Sequence, residues 1–94
     1  MIKVMDIETN GLLGEWEDGV ADRIHCVVFG TLDGTLTTCV TKEEFTQQLS
    51  DCTALVCHNM IDYDLPLLAK LGYIESYTVE PDTVNGHQIT LIDT

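Results

Sequence analysis

Short apolar runs separated by turn residues predict strands in the first part of the chain. Residues 2–7 form an apolar run that is typical of a strand with charge at its carboxyl end. Residues 14–22 are polar and acidic and predict a surface loop. Residues 23–32 are rich in β-branched and aromatic side chains, and the Asp-Gly dipeptide at 33–34 favours a tight turn. The alternation over residues 35–40 then predicts the second strand of an antiparallel hairpin.

A helix is predicted directly after the hairpin. Thr41 and Glu44 have the spacing of a capping box, in which each side chain accepts a hydrogen bond from the other residue's backbone N–H. The helix that follows is expected to bury Phe45 and Leu49 and to end near Ser50.

The rest of the chain predicts a buried strand, a second helix and a final strand. Residues 53–58 are almost continuously apolar, as expected of a strand that is buried on both faces. A helix is predicted from residue 64, with Pro66 in its first turn and Gly72 at its end. Its inward-facing positions are Leu67, Leu68 and Leu71. Residues 73–86 predict irregular structure with turns at Pro81-Asp82 and Asn85-Gly86, and residues 88–92 predict the last strand.

The predicted order is β-β-β-α-β-α-β, which is an α/β layout with a mixed sheet. A chain of 94 residues is expected to form one compact unit or a piece of one, and a hydrophobic content of 45% argues against disorder. No apolar run reaches membrane-spanning length, so a cytoplasmic protein is expected. The cysteines lack zinc-type spacing and are expected to be reduced core residues: Cys26, Cys39, Cys52 and Cys57.

The acidic balance of the chain restricts how it could bind nucleic acid. Sixteen Asp and Glu against four Lys and Arg give a net charge of −12, which opposes phosphate binding. Either divalent cations held by clustered carboxylates or a basic neighbouring domain would have to supply positive charge. The alternative interpretation is that most of these acids form a solvated surface.

Asp6 and Glu8 form an Asp-x-Glu pair at the end of the first predicted strand. Side chains two residues apart on a strand point to the same face, so the two carboxylates converge. Like charges at this distance repel and raise one pKa unless a cation lies between them, which favours a hard, oxygen-binding metal ion. An acidic chain also produces such pairs by chance.

A second polar group lies between the buried strand and the second helix, at residues 58–64. Asp64 stands where this helix begins. Two interpretations are open at this point. Asp64 could be an N-cap, which stabilises a helix by about 1 kcal/mol without any chemistry, or it could join Asp6 and Glu8 in a site.

The segments DIETNGLL, HNMIDYD and LIDT, in this order, resemble the 3′→5′ exonuclease (proofreading) domain of family A DNA polymerases, most closely those of short-tailed phages. The resemblance spans essentially the whole chain and implies a ribonuclease H-like fold. Asp6 and Glu8 match the first motif of that family, and Asn59, Tyr63 and Asp64 match the second. The spacing from Asn59 to Asp64 is that of the phage form, one residue longer than in bacterial repair polymerases.

The family's third motif, Tyr-x-x-x-Asp, does not occur in the chain. Asp93 does not fill this position, because the Ile-Asp-Thr segment precedes the third motif in the family. Asp93 is therefore interpreted as a strand-end or helix-capping residue. The chain is expected to be the N-terminal part, residues 1–94, of one truncated exonuclease domain, with weak or no activity alone.

The resemblance implies hydrolysis of the terminal phosphodiester with two divalent cations, Mg²⁺ or Mn²⁺. It implies that Asp6 bridges both cations, that Glu8 serves the cation that activates water, and that Asp64 holds the other beside the leaving 3′ oxygen. The missing motif would complete the site. The implied partners are a single-stranded 3′ end of DNA and the remaining exonuclease or polymerase segment, in cis or in trans, with no membrane.

The resemblance also implies a set of substrate contacts. Leu12 matches the position that packs against the terminal base, although an ordinary core leucine is the open alternative. The backbone of Thr9 matches the group that meets the 3′ hydroxyl, and Asn59 and Tyr63 match residues near the strand end. Two other functions stay open: a catalytically inactive exonuclease-like module that docks on a polymerase or host protein, and a DNA mimic.

Overall fold

The computed structural model describes residues 1–9 and 24–94, with the backbone alone at residue 25, and shows an α/β chain rich in strands. The strands are β1 Ile2–Thr9, β2 Ile24–Thr31, β3 Leu36–Cys39, β4 Ala54–Cys57, β5 Tyr77–Thr78, β6 Thr83–Val84, β7 His87–Gln88 and β8 Thr90–Asp93. The helices are α1 Lys42–Leu49 and α2 Leu65–Lys70, and a π-helical turn, Met60–Asp64, leads into α2. The predicted surface loop at residues 14–22 lies outside the described residues.

Five strands form a mixed sheet in the order β3-β2-β1-β4-β8. β1 pairs antiparallel with β2 and parallel with β4, and β4 pairs parallel with β8. The hairpin of β2 and β3 is antiparallel, as the Asp-Gly turn predicts. The prediction of an α/β fold with a mixed sheet is therefore confirmed.

The prediction of irregular structure over residues 73–86 was wrong in part. β5, β6 and β7 form a separate three-stranded antiparallel sheet. Each of these strands has only two residues, which is too short for an alternating pattern to show in the sequence. The Asn85-Gly86 turn was predicted, and both residues have the positive φ, 54° and 79°, that a two-residue hairpin loop requires. The final strand starts at Thr90, two residues later than predicted.

The local predictions for the two helices are confirmed. The Thr41 side chain accepts a hydrogen bond from the Glu44 N–H at 3.1 Å, and the Glu44 carboxylate accepts one from the Thr41 N–H at 3.1 Å. α1 buries Phe45, leaves Leu49 half-buried rather than buried, and ends at the C-cap Ser50. In α2, Leu67 and Leu68 are buried and Leu71 is half-buried. Gly72 follows with a φ of 77°, which suits the end of a helix.

The main sheet has an inner face that the helices cover. Met5 on β1 is 2% exposed and belongs to one core cluster with residues of β2, α1 and α2, including Phe29, Phe45 and Leu68. The rings of Phe29 and Phe45 lie 5.6 Å apart. The inner face of β1 also carries Lys3, which is buried, forms an ion pair with Asp51 at 2.7 Å and donates to the Gln48 carbonyl at 2.7 Å. This lysine ties β1 to the end of α1.

The opposite, outer face of the sheet carries exposed apolar side chains. The register of the paired strands forms one row of residues across the sheet: Leu36, Gly30, Val4, Val56 and Ile92. The exposed fractions are 74% for Leu36, 51% for Val4 and 42% for Ile92, and Val56 is half-buried. Within the described residues, this face of the sheet is not covered by a helix.

The cysteines are free, as expected of reduced core residues. Cys39, Cys52 and Cys57 are buried, and Cys26 is half-buried. No helix in the described ranges is both long enough and apolar enough to cross a membrane.

Candidate functional site

The carboxyl ends of β1 and β4 form one side of a cavity of about 550 Å³. The two strands are parallel neighbours with Val4 opposite Val56, so the residues that follow these positions reach the same edge of the sheet. β1 contributes Asp6 to the cavity lining. The segment after β4 contributes Asn59, Tyr63 and Asp64.

Four of the seven residues predicted for the site therefore meet at this cavity. Glu8 lies on the same exposed face of β1 as Asp6 but is not part of the cavity lining. The Thr9 hydroxyl lies 2.9 Å from the Tyr63 hydroxyl, which links the end of β1 to the second motif. Leu12 lies outside the described residues. No set of three or more His, Cys, Asp and Glu side chains in the described part of the chain lies close enough together to hold a metal ion.

The turn from residue 59 to residue 64 determines where its side chains point. Asn59 has a left-handed backbone with φ 57° and ψ 36°, so the chain turns sharply as it leaves β4. The Leu65 N–H then bonds to the Met60 carbonyl, five residues back, which defines the π-helical turn. Such a turn contains one residue more than an α-helical turn and ends at Asp64.

The interpretation of Asp64 as an N-cap was wrong. Its backbone is helical, with φ −66° and ψ −47°, and its side chain makes no capping hydrogen bond. The π-helical turn before it already supplies a backbone partner, the Met60 carbonyl, for the Leu65 N–H at the start of α2. The Asp64 side chain is instead 5% exposed and lines the cavity.

A buried thiol contacts the Asp64 carboxylate. The Sγ of Cys57, the last residue of β4, donates a hydrogen bond to Oδ2 of Asp64. Burial raises the pKa of the Cys57 thiol above its ordinary value, and the Asp64 carboxylate raises it further, so the thiol keeps its proton and is the donor.

Burial also raises the pKa of Asp64, to about 6. The hydrogen bond from Cys57 opposes this rise, whereas the negative charges of Asp6 and Asp93 add to it. The influence of Asp6 is the electrostatic consequence of two carboxylates sharing one cavity. The site therefore has a surplus of negative charge that a cation would offset.

Asp93 stabilises the turn that carries Asp64. Its Oδ2 accepts a hydrogen bond from the Ile61 N–H at 3.0 Å. This bond, with others from the N–H groups of Met60 and Asn59, lowers the pKa of Asp93. The interpretation of Asp93 as a strand-end capping residue is thus confirmed.

Cys57 is a partner of Asp64 that the sequence alone does not reveal. The sequence shows Cys57 only as an apolar residue in a buried strand, and the two residues are seven positions apart. No periodic pattern relates a strand residue to the end of a π-helical turn, so only the folded chain reveals the contact.

No protein-family model matches this chain, and a search of curated proteins found no match. The fold and the site define an α/β protein with a mixed sheet and a cavity, lined in part by carboxylates, at the carboxyl ends of the inner strands β1 and β4.

Proposed function

We propose that the chain is the N-terminal part of a metal-dependent 3′→5′ DNA exonuclease domain, of ribonuclease H-like fold and of the proofreading kind found in phage-type DNA polymerases. The observation that carries the proposal is that Asp6 and Asp64, one from each matched motif, line the same cavity. The π-helical turn between Asn59 and Asp64 also suits the longer, phage-type spacing of the second motif. Such a protein would act in the cytoplasm of the host cell.

The chemistry of the donor atoms, which are carboxylate oxygens, supports a hard divalent cation as the ligand of this cavity. Asp6 is exposed, Asp64 is buried, and both line the same cavity. The charge of Asp6 raises the pKa of Asp64. Mg²⁺ and Mn²⁺ prefer carboxylate oxygens as ligands, and a bound cation would offset the repulsion between the two carboxylates. Asp6, Glu8 and Asp64 do not by themselves form a metal site in the described part of the chain, so they would hold the two ions only together with a completing segment. The ions, when bound, would polarise a phosphate and lower the pKa of a coordinated water.

The neighbouring residues would receive the end of a single DNA strand. Asn59 and Tyr63 line the cavity, and the hydroxyl groups of Tyr63 and Thr9 meet beside it. Together these groups would orient the terminal nucleotide, with Leu12 proposed to pack against its base. A chain with a net charge of −12 repels phosphates, so productive binding would depend on the cations.

The three carboxylates leave the cation that activates water one ligand short. The proposal therefore includes a further segment, in cis or in trans, that carries Tyr-x-x-x-Asp and completes the site. A hard cation with too few anionic ligands is held weakly and orients water poorly.

The test is digestion of a 3′-labelled oligonucleotide with Mg²⁺ or Mn²⁺ by the chain supplemented with the completing segment. Asp6→Ala and Asp64→Ala are expected to lower the rate by orders of magnitude. Asp62→Ala is the matched control, because Asp62 is an exposed carboxylate of the same π-helical turn. Equal rates for Asp6→Ala and Asp62→Ala would contradict the proposal.

A second candidate function is a binding module without catalysis. The outer face of the sheet favours it, since the apolar row through Val4 and Ile92 is exposed next to Asp6 and Glu8. Parallel strands are usually covered on both faces. A partner for this surface would present an apolar stripe flanked by Lys or Arg, on a polymerase or a host protein.

Sedimentation of the chain with a purified polymerase segment tests this second function. Val4→Asp is expected to weaken the complex, because it places a charge in the apolar row. Val79→Asp is the control, since Val79 is 42% exposed but lies between β5 and β6, outside the main sheet. A complex that forms equally well with both variants would contradict docking on the outer face.

A further inference from the structure

The Cys57 side chain differs from the other buried cysteines in what its thiol contacts. Cys57 is 4% exposed and lines the cavity while its thiol donates to Asp64. Cys52 is also buried, but its thiol donates to a backbone group, the Ala54 carbonyl, at 3.2 Å. Cys57 therefore connects the core to the candidate site, whereas Cys52 serves the core alone.

The acceptor of the Cys57 thiol is a buried carboxylate, which needs a hydrogen-bond donor. Asp64 is buried, and its donor among the described residues is the Cys57 thiol. A buried carboxylate without a donor is energetically costly and is free to rotate about its terminal bond. A thiol is a weak donor, but a charged acceptor in a buried site strengthens the bond.

We propose that Cys57 is a positioning residue that orients the Asp64 carboxylate. Its thiol holds Oδ2, so that the other carboxylate oxygen remains available to the cavity shared with Asp6. This inference rests on the proposed function, because the oriented oxygen is the one that would meet a divalent cation. Groups that orient a metal-binding carboxylate strongly influence metal affinity.

The contact itself is tested by the S–H stretching band in the infrared spectrum of the 94-residue chain, without any metal. Cys57→Ala identifies the band of Cys57 by difference. Asp64→Asn replaces a charged acceptor with a neutral one and is expected to shift that band to higher frequency, whereas Asp62→Asn leaves it unchanged. A band that does not respond to Asp64→Asn overturns the inference.

The positioning role is tested by titration calorimetry with Mn²⁺, at a pH well above the Asp64 pKa of about 6. Cys57→Ala is expected to weaken Mn²⁺ binding by about tenfold, at the low end of the effect of such orienting groups because a thiol donates weakly. Cys57→Ser retains a donor and is expected to restore most of the affinity. Cys52→Ala controls for the loss of a buried thiol elsewhere in the core.

The outcomes separate this inference from the proposed function. If wild type binds Mn²⁺ and Cys57→Ala binds it equally well, or Cys57→Ser is as weak as Cys57→Ala, the positioning role is overturned and the exonuclease proposal stands. If Asp6→Ala takes up Mn²⁺ as wild type does, the assignment of the cation to Asp6 and Asp64 fails, and the positioning role fails with it. The infrared band still reports in that case whether the contact exists. Circular dichroism establishes that each variant is folded.

Discussion

Asp93, the last residue of β8, accepts a hydrogen bond at 3.0 Å from the Ile61 N–H, in the first turn after β4. The two residues are 32 positions apart in the chain. Because β4 and β8 are parallel neighbours, the carboxyl end of β8 lies beside the turn that carries Asp64. The strands on both sides of β4, which are β1 and β8, thus contribute residues at their carboxyl ends to the candidate site or to the turn that carries Asp64.

Loss of the Asp93 carboxylate is expected to loosen this turn. In Asp93→Ala, the Ile61 amide loses its acceptor and is expected to exchange with solvent several-fold faster, while amides in the middle of β1 keep their protection. Hydrogen exchange followed by NMR measures both. Asp62→Ala, an exposed carboxylate of the same turn, is the control. Unchanged exchange at Ile61 in Asp93→Ala would contradict the capping role.

The stability of the chain is expected to depend on pH through Asp64. Its pKa is about 6 in the folded state against an ordinary value of 3.8, so folding favours its protonated form. The stability that Asp64 contributes is fully present below pH 3.8 and is lost as the pH rises through about 6. At about 1.4 kcal/mol for each pH unit between 3.8 and about 6, this contribution is at most about 3 kcal/mol, and solvent screening reduces it.

Comparison with Asp64→Asn isolates this effect from the other carboxylates. The stability of Asp64→Asn relative to wild type is expected to increase between about pH 4 and pH 7, because the variant lacks the buried charge. Urea unfolding with a chelator present measures it. Asp62→Asn should show no such trend, and a flat difference for Asp64→Asn would contradict the raised pKa.

The two faces of β1 are expected to respond differently to truncation. Met5→Ala removes a side chain that is 2% exposed and is expected to cost about 2–5 kcal/mol. Val4→Ala changes a side chain that is 51% exposed, on the neighbouring position of the same strand, and is expected to cost about 0.5 kcal/mol or less. Urea unfolding of the two variants measures the contrast, and equal losses would show that the outer face is covered.

The buried Lys3 is expected to tolerate an apolar replacement better than the loss of its partner. Lys3→Met removes the buried ammonium and fills its space, whereas Asp51→Asn leaves that ammonium without its counter-charge. Thermal unfolding should therefore place Asp51→Asn below Lys3→Met in stability. The reverse order would indicate that the Gln48 contacts alone compensate the buried charge.

Removal of divalent cations is expected to abolish binding to single-stranded DNA. A net charge of −12 opposes phosphates at physiological salt, and bound Mn²⁺ is expected to offset part of that charge at Asp6 and Asp64. Fluorescence anisotropy with and without Mn²⁺ measures this, with Asp6→Ala as the variant that should gain least. Tight binding in the presence of a chelator would contradict the prediction.

The sequence by itself determined the local structure of this protein. The capping box of Thr41 and Glu44, the Asn85-Gly86 turn and the helix end at Gly72 all depend on residues within a few positions of one another. Such patterns are visible in a sequence because a helix relates residues three or four apart, a strand relates residues two apart, and a tight turn requires particular backbone angles. The mixed sheet followed from the order of these elements.

The tertiary structure alone decided how distant residues meet. Three contacts each join different elements of the fold: the thiol of Cys57 with the carboxylate of Asp64, Asp93 with the π-helical turn, and the buried Lys3 with Asp51. The exposure of the outer face was equally hidden, since Val4 and Met5 are both apolar and only packing distinguishes them. Strand register and side-chain packing are global properties of the folded chain, so no local pattern in the sequence encodes these contacts.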